Sequence, residues 1–146
     1  MARHTFFSFH YQRDVFRVNQ IRKGGEFIGS AAAGFVDASL WEKAKQKGDA
    51  VIKAMIDDAL VGTSVTVVCI GAKTARRTYI NYEIEQSLAS GNGMLGLRIN
   101  HLVGHDKDVD PDGDIPALLV RNNVPVYRFT NVAALGTLIE RAYQSR

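Results

Sequence analysis

The chain has 146 residues, 46% hydrophobic and 23% charged. That length suits one domain with a real core, and the charge fraction argues against wholesale disorder. A net charge of +3 is too weak to point to nucleic acid without a clustered patch, and no apolar run approaches the roughly 20 residues of a membrane span. The N-terminus lacks the apolar core and cleavage site of a signal peptide. A single cysteine, Cys69, excludes a disulfide scaffold and a multi-cysteine zinc site. The expectation is a cytoplasmic protein of one domain spanning 1–146.

Strand-like and helix-like segments alternate. Thr5–Phe9 is a short run of β-formers. Asp14 is placed to cap a helix carrying Val15, Val18 and Ile21, stopped by Gly24 and Gly25. A short strand is expected at Phe27–Ile28 or Gly34–Val36. From Asp49, the residues Val51, Ile52, Met55, Ile56, Ala59 and Leu60 share one helical face, and Gly62 ends that helix. Ser64–Ile70 is continuously apolar and β-branched, as in a strand buried on both faces. Thr74 is placed to cap the next helix, with Ile80, Ile84 and Leu88 on its apolar stripe and Gly91 at its end. Met94–Leu102 reads as a strand, 103–116 as a polar loop and Asn123–Phe129 as the last strand. Thr130 is expected to cap a final helix built on Val132, Leu135, Leu138 and Ile139. The alternation predicts an α/β fold, a mostly parallel sheet of four or five strands with helices on both faces. Ligands of such sheets bind beyond the carboxyl ends of the strands, here Ser8–Gln12, Val36–Ser39 and Gly71–Tyr82.

Several patterns resemble active chemistry without its context. Gly91, Gly93 and Gly96 spell a dinucleotide fingerprint, but they close a helix and lead into a strand, the reverse of the required order. Asp108, Asp110, Asp112 and Gly113 match the start of a calcium loop whose twelfth position is Leu119 rather than Glu. The acidic 106–114 segment is expected to be a solvated loop. His101 and His105 have no third ligand at motif spacing, so no metal site is expected. Cys69 sits in an apolar strand as a buried thiol. Val65–Ile70 runs into Gly-Ala-Lys with no phosphoacceptor Asp, and no phosphate-binding loop is present.

One constellation is a candidate for chemistry. Tyr79 and Glu83 lie four apart on a helical stripe flanking Ile80–Ile84–Leu88, where a carboxylate is partly desolvated yet reachable. A solvated Glu paired with Arg76 or Arg77 is the alternative. Those two arginines fall in the expected first helical turn, where the macrodipole disfavours cations and a bound anion would suit them.

These residues carry a resemblance. Phe6-Phe-Ser-Phe-His-Tyr11 resembles the first box of TIR domains, and Tyr79-Ile-Asn-Tyr-Glu83 resembles their Trp-x-x-x-Glu motif. Gly34-Phe-Val-Asp-Ala-Ser-Leu-Trp-Glu42 resembles the Phe-Asp-Ala-Ser-Leu-Trp-Glu segment of the TIR-like family of bacterial Thoeris antiphage systems. The resemblance implies a five-stranded flavodoxin-like TIR domain that cleaves the nicotinamide–ribose bond of NAD. It implies a cyclic or conjugated ADP-ribose signal that activates a separate effector protein. NAD is then substrate rather than cofactor, and neither nucleic acid nor membrane is a partner. The family's catalytic Glu falls on Glu83. Tyr79 departs from the pattern by replacing Trp, keeping an aromatic wall with different hydrogen bonding. The loop segment places Asp37, Ser39 and Trp41 at the pocket mouth. Ser8, Phe9, His10, Tyr11, Arg76, Arg77 and Tyr79 complete the expected substrate-binding set, with Phe9, Tyr11, Trp41 and Tyr79 to stack on nicotinamide or adenine. His10 or Arg13 is a candidate for phosphate contact, with a solvated surface position as the alternative, and Arg76 and Arg77 are candidates for the diphosphate. The alternative function is a non-catalytic module acting by TIR–TIR assembly.

Overall fold

The computed structural model describes residues 3–23, 28–31 and 46–146. Its elements run β1 (His4–Ser8), α1 (Tyr11–Lys23), β2 (Ile28–Ala31), α2 (Asp49–Leu60), β3 (Val65–Ile70), α3 (Thr78–Ala89), β4 (Gly93–Arg98), α4 (Ala117–Arg121), β5 (Val126–Arg128) and α5 (Val132–Ser145). The five strands form one sheet in the order β2-β1-β3-β4-β5. Every adjacent pair is parallel, and the register sets Ser8 beside Val68 and Phe7 beside Val67.

Helices cover both faces because successive strand residues point to opposite sides. Val68, Ile70 and Met94 pack with Ile80 and Ile84 of α3 and Leu119 of α4. Val65, Val67, Cys69, Leu95 and Leu97 instead join Val18 and Ile21 of α1 and Leu135 and Ile139 of α5. Each fully buried Ile or Leu contributes roughly 1.5–3 kcal/mol by leaving water. The chain turns from β1 towards β2 on one side and β3 on the other. The carboxyl ends of β1 and β3 therefore flank the topological switch point, where such sheets bind ligands.

The alternation survives, and several boundaries move for local reasons. Asp14 is not a cap: its amide already bonds the His10 carbonyl, so α1 begins at Tyr11 and the Asp14 carboxyl is buried within the first turn. β2 occupies 28–31, overlapping the first of the two expected positions. Thr74 does not cap α3 either. Its buried hydroxyl accepts from the Gly71 amide (2.8 Å) and closes the loop after β3. Arg76 has φ 70°, in the left-handed region that a helix excludes, and α3 starts only at Thr78 with Arg77 as its extended N-cap. Arg76 and Arg77 therefore lie outside the first helical turn.

β4 ends at Arg98, because the Leu102 amide turns back onto the Ile99 carbonyl. β5 is confined to 126–128, and the short helix α4 before it had no periodic signal in five residues. Asn131, rather than Thr130, caps α5, its side chain accepting from the Ala134 amide at 2.8 Å. Gly91 sits at φ 75° where α3 ends, and Gly93 opens β4, so these glycines serve a helix end and a strand start. A Cβ on Gly93 would strike the Ala142 carbonyl of α5, which explains the small residue there.

Candidate active site

Glu83 projects from α3 towards the carboxyl end of β1. It is buried, at 1% exposure, together with Ile80, Ile84 and Ser87 on the sheet-facing side of the helix. The sequence placed it on the flank of that stripe; the helix instead turns it fully inward. Ser8, the last residue of β1, is equally buried and donates its hydroxyl proton to Glu83 Oε1 at 2.8 Å. Oε2 is buried with no hydrogen-bond partner among the described residues. Burial drives the Glu83 carboxyl well above the usual carboxylate range, and the Ser8 hydrogen bond opposes that rise without cancelling it. An unpaired buried carboxyl is costly to a fold and is a recognised mark of a working site.

The neighbouring candidates separate into distinct environments. The Phe9 and Tyr11 rings lie 6.1 Å apart at 30°, and both are buried members of the core. His10 is half-buried and its Nδ1 has no partner among the described residues. Burial first, then the guanidinium charges of Arg77 and Arg13, push its pKa down to about 4, so its imidazole is neutral near pH 7. Tyr79 packs partly against the core, and its hydroxyl donates to Asp49 Oδ1 on α2 at 2.9 Å. Arg77 Nε donates to the Lys73 carbonyl, whereas Arg76 is exposed and faces Asp114 at 3.9 Å. The structure thus joins Ser8 to Glu83 directly and sets His10 within reach of Arg77, while Arg76 turns towards the 106–114 loop. Asp37, Ser39 and Trp41 lie outside the described residues.

A second buried polar cluster braces the same end of the sheet. Arg17, 2% exposed, holds Asp14 Oδ1 at 3.0 Å and Asp110 Oδ2 at 3.1 Å, and donates to the carbonyls of Leu102 and Asp108. Arg13 grips Asp110 through two bonds of 2.8 and 2.9 Å, so it is committed to a carboxylate rather than free for phosphate. Asn100 Nδ2 adds bonds to the Asp110 carbonyl and Asp112 Oδ1. The acidic loop is therefore tied to α1, to the turn after β4 through Asn100 and to β4 itself through the Arg98 guanidinium on the Gly113 carbonyl, and is not merely solvated. It also closes on the loop after β3: a Cβ on Gly113 would collide with the Gly71 carbonyl, and one on Gly71 with the Asp14 carboxyl. The i, i+3 spacing of Asp14 and Arg17 was the one signal for this cluster, and the pull of a helix cap on an early Asp obscured it.

The remaining patterns take part in structural contacts. His101 Nε2 lies 2.7 Å from the Phe129 carbonyl, and no cluster of three metal-ligating side chains occurs among the described residues. Cys69 is fully buried, which pushes its thiol far above the normal range and leaves it unreactive. No helix among the described residues is long and apolar enough to cross a membrane.

Residues 6–103 match the family model of the Thoeris protein ThsB, TIR-like domain. The chain belongs to that family. All three motif segments named above lie within the matched span. The Thoeris chain is also 46% identical over 102 residues to a Bacillus cereus (strain MSX-D12) protein named "Putative cyclic ADP-D-ribose synthase ThsB1". That alignment covers 68% of this chain and 53% of the relative, so the chain spans about half the relative's length.

Proposed function

We propose that this chain is a Thoeris signalling enzyme that cleaves the nicotinamide–ribose bond of NAD and forms a cyclic or conjugated ADP-ribose product. The observation that carries the reading is Glu83: a buried carboxyl with one oxygen unmet, at the switch point of a ThsB TIR-like sheet. The name of the Bacillus cereus relative supports the product class.

Nicotinamide leaves a cationic pyridinium as a neutral molecule, so no general acid is required for its departure. The barrier lies in the oxocarbenium-like ribose. A carboxylate in a low-dielectric pocket stabilises that charge far better than one in water, and it also holds the ribose hydroxyls. Glu83 takes that role as the catalytic residue. Neutral His10 meets the substrate through hydrogen bonding rather than charge, and the Arg77 guanidinium supplies the positive field for the diphosphate. Excluding water favours capture of the ribosyl carbon by a nucleophile within the same molecule, giving cyclisation in place of hydrolysis. NAD is the substrate, and the mechanism needs neither a metal nor a bound cofactor. The product acts on a separate effector, and contacts between TIR domains complete the pocket.

The test is mass spectrometry of small molecules from phage-infected cells carrying the full chain or its Glu83→Gln variant. An ADP-ribose-derived species with loss of NAD in the first and not in the second supports the proposal. The same species in both removes Glu83 from the chemistry. No NAD-derived species in either contradicts the enzyme reading and favours the assembly module.

A further inference from the structure

Resting on that reading, we infer that Ser8 is a positioning residue: it holds Oε1 of Glu83 so that Oε2 is the oxygen presented to the ribose. The resemblance placed Ser8 among substrate contacts, but its burial and its bond point elsewhere. Its side chain is fully buried and its proton is already donated to Glu83 at 2.8 Å.

The terminal torsion of a glutamate is broad and nearly two-fold, so an unrestrained carboxyl exchanges its oxygens freely. One fixed donor on Oε1 removes that freedom and sets the carboxyl plane. The donor is itself rigid, because Ser8 ends a strand paired on both sides, to Val68 of β3 and, one residue earlier, to Ala31 of β2.

A neighbouring contact shows what a purely structural pair looks like. One helical turn on, the Thr66 hydroxyl of β3 donates to the Ser87 hydroxyl of α3, also at 2.8 Å and also buried. Thr66 further accepts from Asn92, and no ionisable group takes part. Both contacts fix the register of α3 on the sheet. Only the Ser8 contact ends on a carboxyl whose other oxygen is unmet.

The electrostatics agree. The Ser8 donor favours the charged form of Glu83 against burial, which favours the neutral one. The ionisable neighbour within electrostatic reach on β3 is the Cys69 thiol, which stays neutral, and no described guanidinium or ammonium compensates the carboxyl. The Ser8 hydroxyl is thus the one described group that draws Glu83 towards its carboxylate form.

Two measurements on the full chain test this. In the first, Ser8→Ala and Ser8→Cys are compared with wild type for nicotinamide release from NAD across pH. Loss of a hydrogen bond to a charged group predicts a fall in kcat on the order of ten- to a hundredfold in Ser8→Ala, with KM unchanged. Its acid limb moves to higher pH, and Ser8→Cys, a weaker donor of similar size, lies between. In the second, the Glu83 carboxyl is followed by carbon-13 NMR, with the signal assigned through its absence in Glu83→Gln. Its titration midpoint rises in Ser8→Ala. A raised KM at full kcat, or an unmoved acid limb, overturns the inference. An unmoved carboxyl midpoint overturns it independently of activity, so this arm decides even if the chain does not act on NAD.

Discussion

Two buried carboxyls sit at the same end of this sheet and are handled differently. Asp14 on α1 has one oxygen bonded to the equally buried Arg17 and the other unpartnered among the described residues. Glu83 on α3 has one oxygen bonded to a neutral serine and the other likewise unpartnered. Burial raises both carboxyls, but a guanidinium opposes the rise at Asp14 and only a hydroxyl opposes it at Glu83. Compensation by a full charge builds structure: Arg17 also fastens the loop that carries Asp108 and Asp110. Leaving a carboxyl uncompensated destabilises the fold, and such groups concentrate at functional sites; under the proposed function, substrate supplies the missing partner of Glu83.

The contrast can be broken at its largest effect first. Arg17→Met strands the Asp14 carboxyl and loosens the 102–110 loop, which Arg13 and Asn100 still hold at Asp110. Breaking a buried ion pair from one side costs about 3–5 kcal/mol, so a large fall in the urea midpoint is expected. A midpoint near wild type would show that Asp14 needs no counter-charge.

Glu83→Gln should do the opposite to stability while abolishing nicotinamide release. A carboxyl whose folded pKa is raised binds its proton more tightly in the native state. Its stabilising proton is held at low pH, and stability falls as pH rises from the unfolded value of about 4.3 through the raised folded value. The Tm of Glu83→Gln relative to wild type is therefore expected to climb across that window and then level off. A difference independent of pH would mean that Glu83 does not ionise in the folded protein.

Thr66→Val sharpens the comparison from the neutral side. It removes the bonds to Ser87 and from Asn92 in a buried position, at a cost of roughly 1–2 kcal/mol. Thermal unfolding should show that loss with the rate of nicotinamide release retained. A rate loss matching that of Ser8→Ala would make both contacts mere helix anchors.

The smallest effect belongs to Arg3→Ala, which breaks the bidentate contact with Glu140 on α5. Arg3 draws the Glu140 carboxyl down to about 2. The lowered folded value means this contact stabilises above the ordinary glutamate range and is lost as pH falls towards 2. The site is exposed to solvent screening, so a barely measurable change in Tm at pH 7 is expected, shrinking further with salt.

The sequence made the sheet legible because strand and helix burial follow periodicity, whereas Glu83 became a candidate only when the Trp-x-x-x-Glu resemblance was joined to its place beside the apolar stripe. The apolar run 64–70 and the Ile80–Ile84–Leu88 stripe state burial directly, and Glu83 stands one residue from that stripe. Other features depend on where the backbone's own hydrogen bonds go. Thr74 looks like a cap until its hydroxyl is seen on the Gly71 amide, and Arg76 looks helical until its φ of 70° excludes it. The Arg13–Asp110 and Arg17–Asp110 contacts join residues about a hundred positions apart, which no local pattern encodes. Ser8 was visible as part of a motif, but only the fold shows that its hydroxyl reaches Glu83.

The most direct test of the central claim is nicotinamide release from NAD by wild type and Glu83→Gln, at high protein concentration and with equal folded fractions verified by thermal unfolding. Release by the wild type and none by the variant, with a Tm no lower than wild type, is the predicted result. Equal release by both, with both folded, would contradict it.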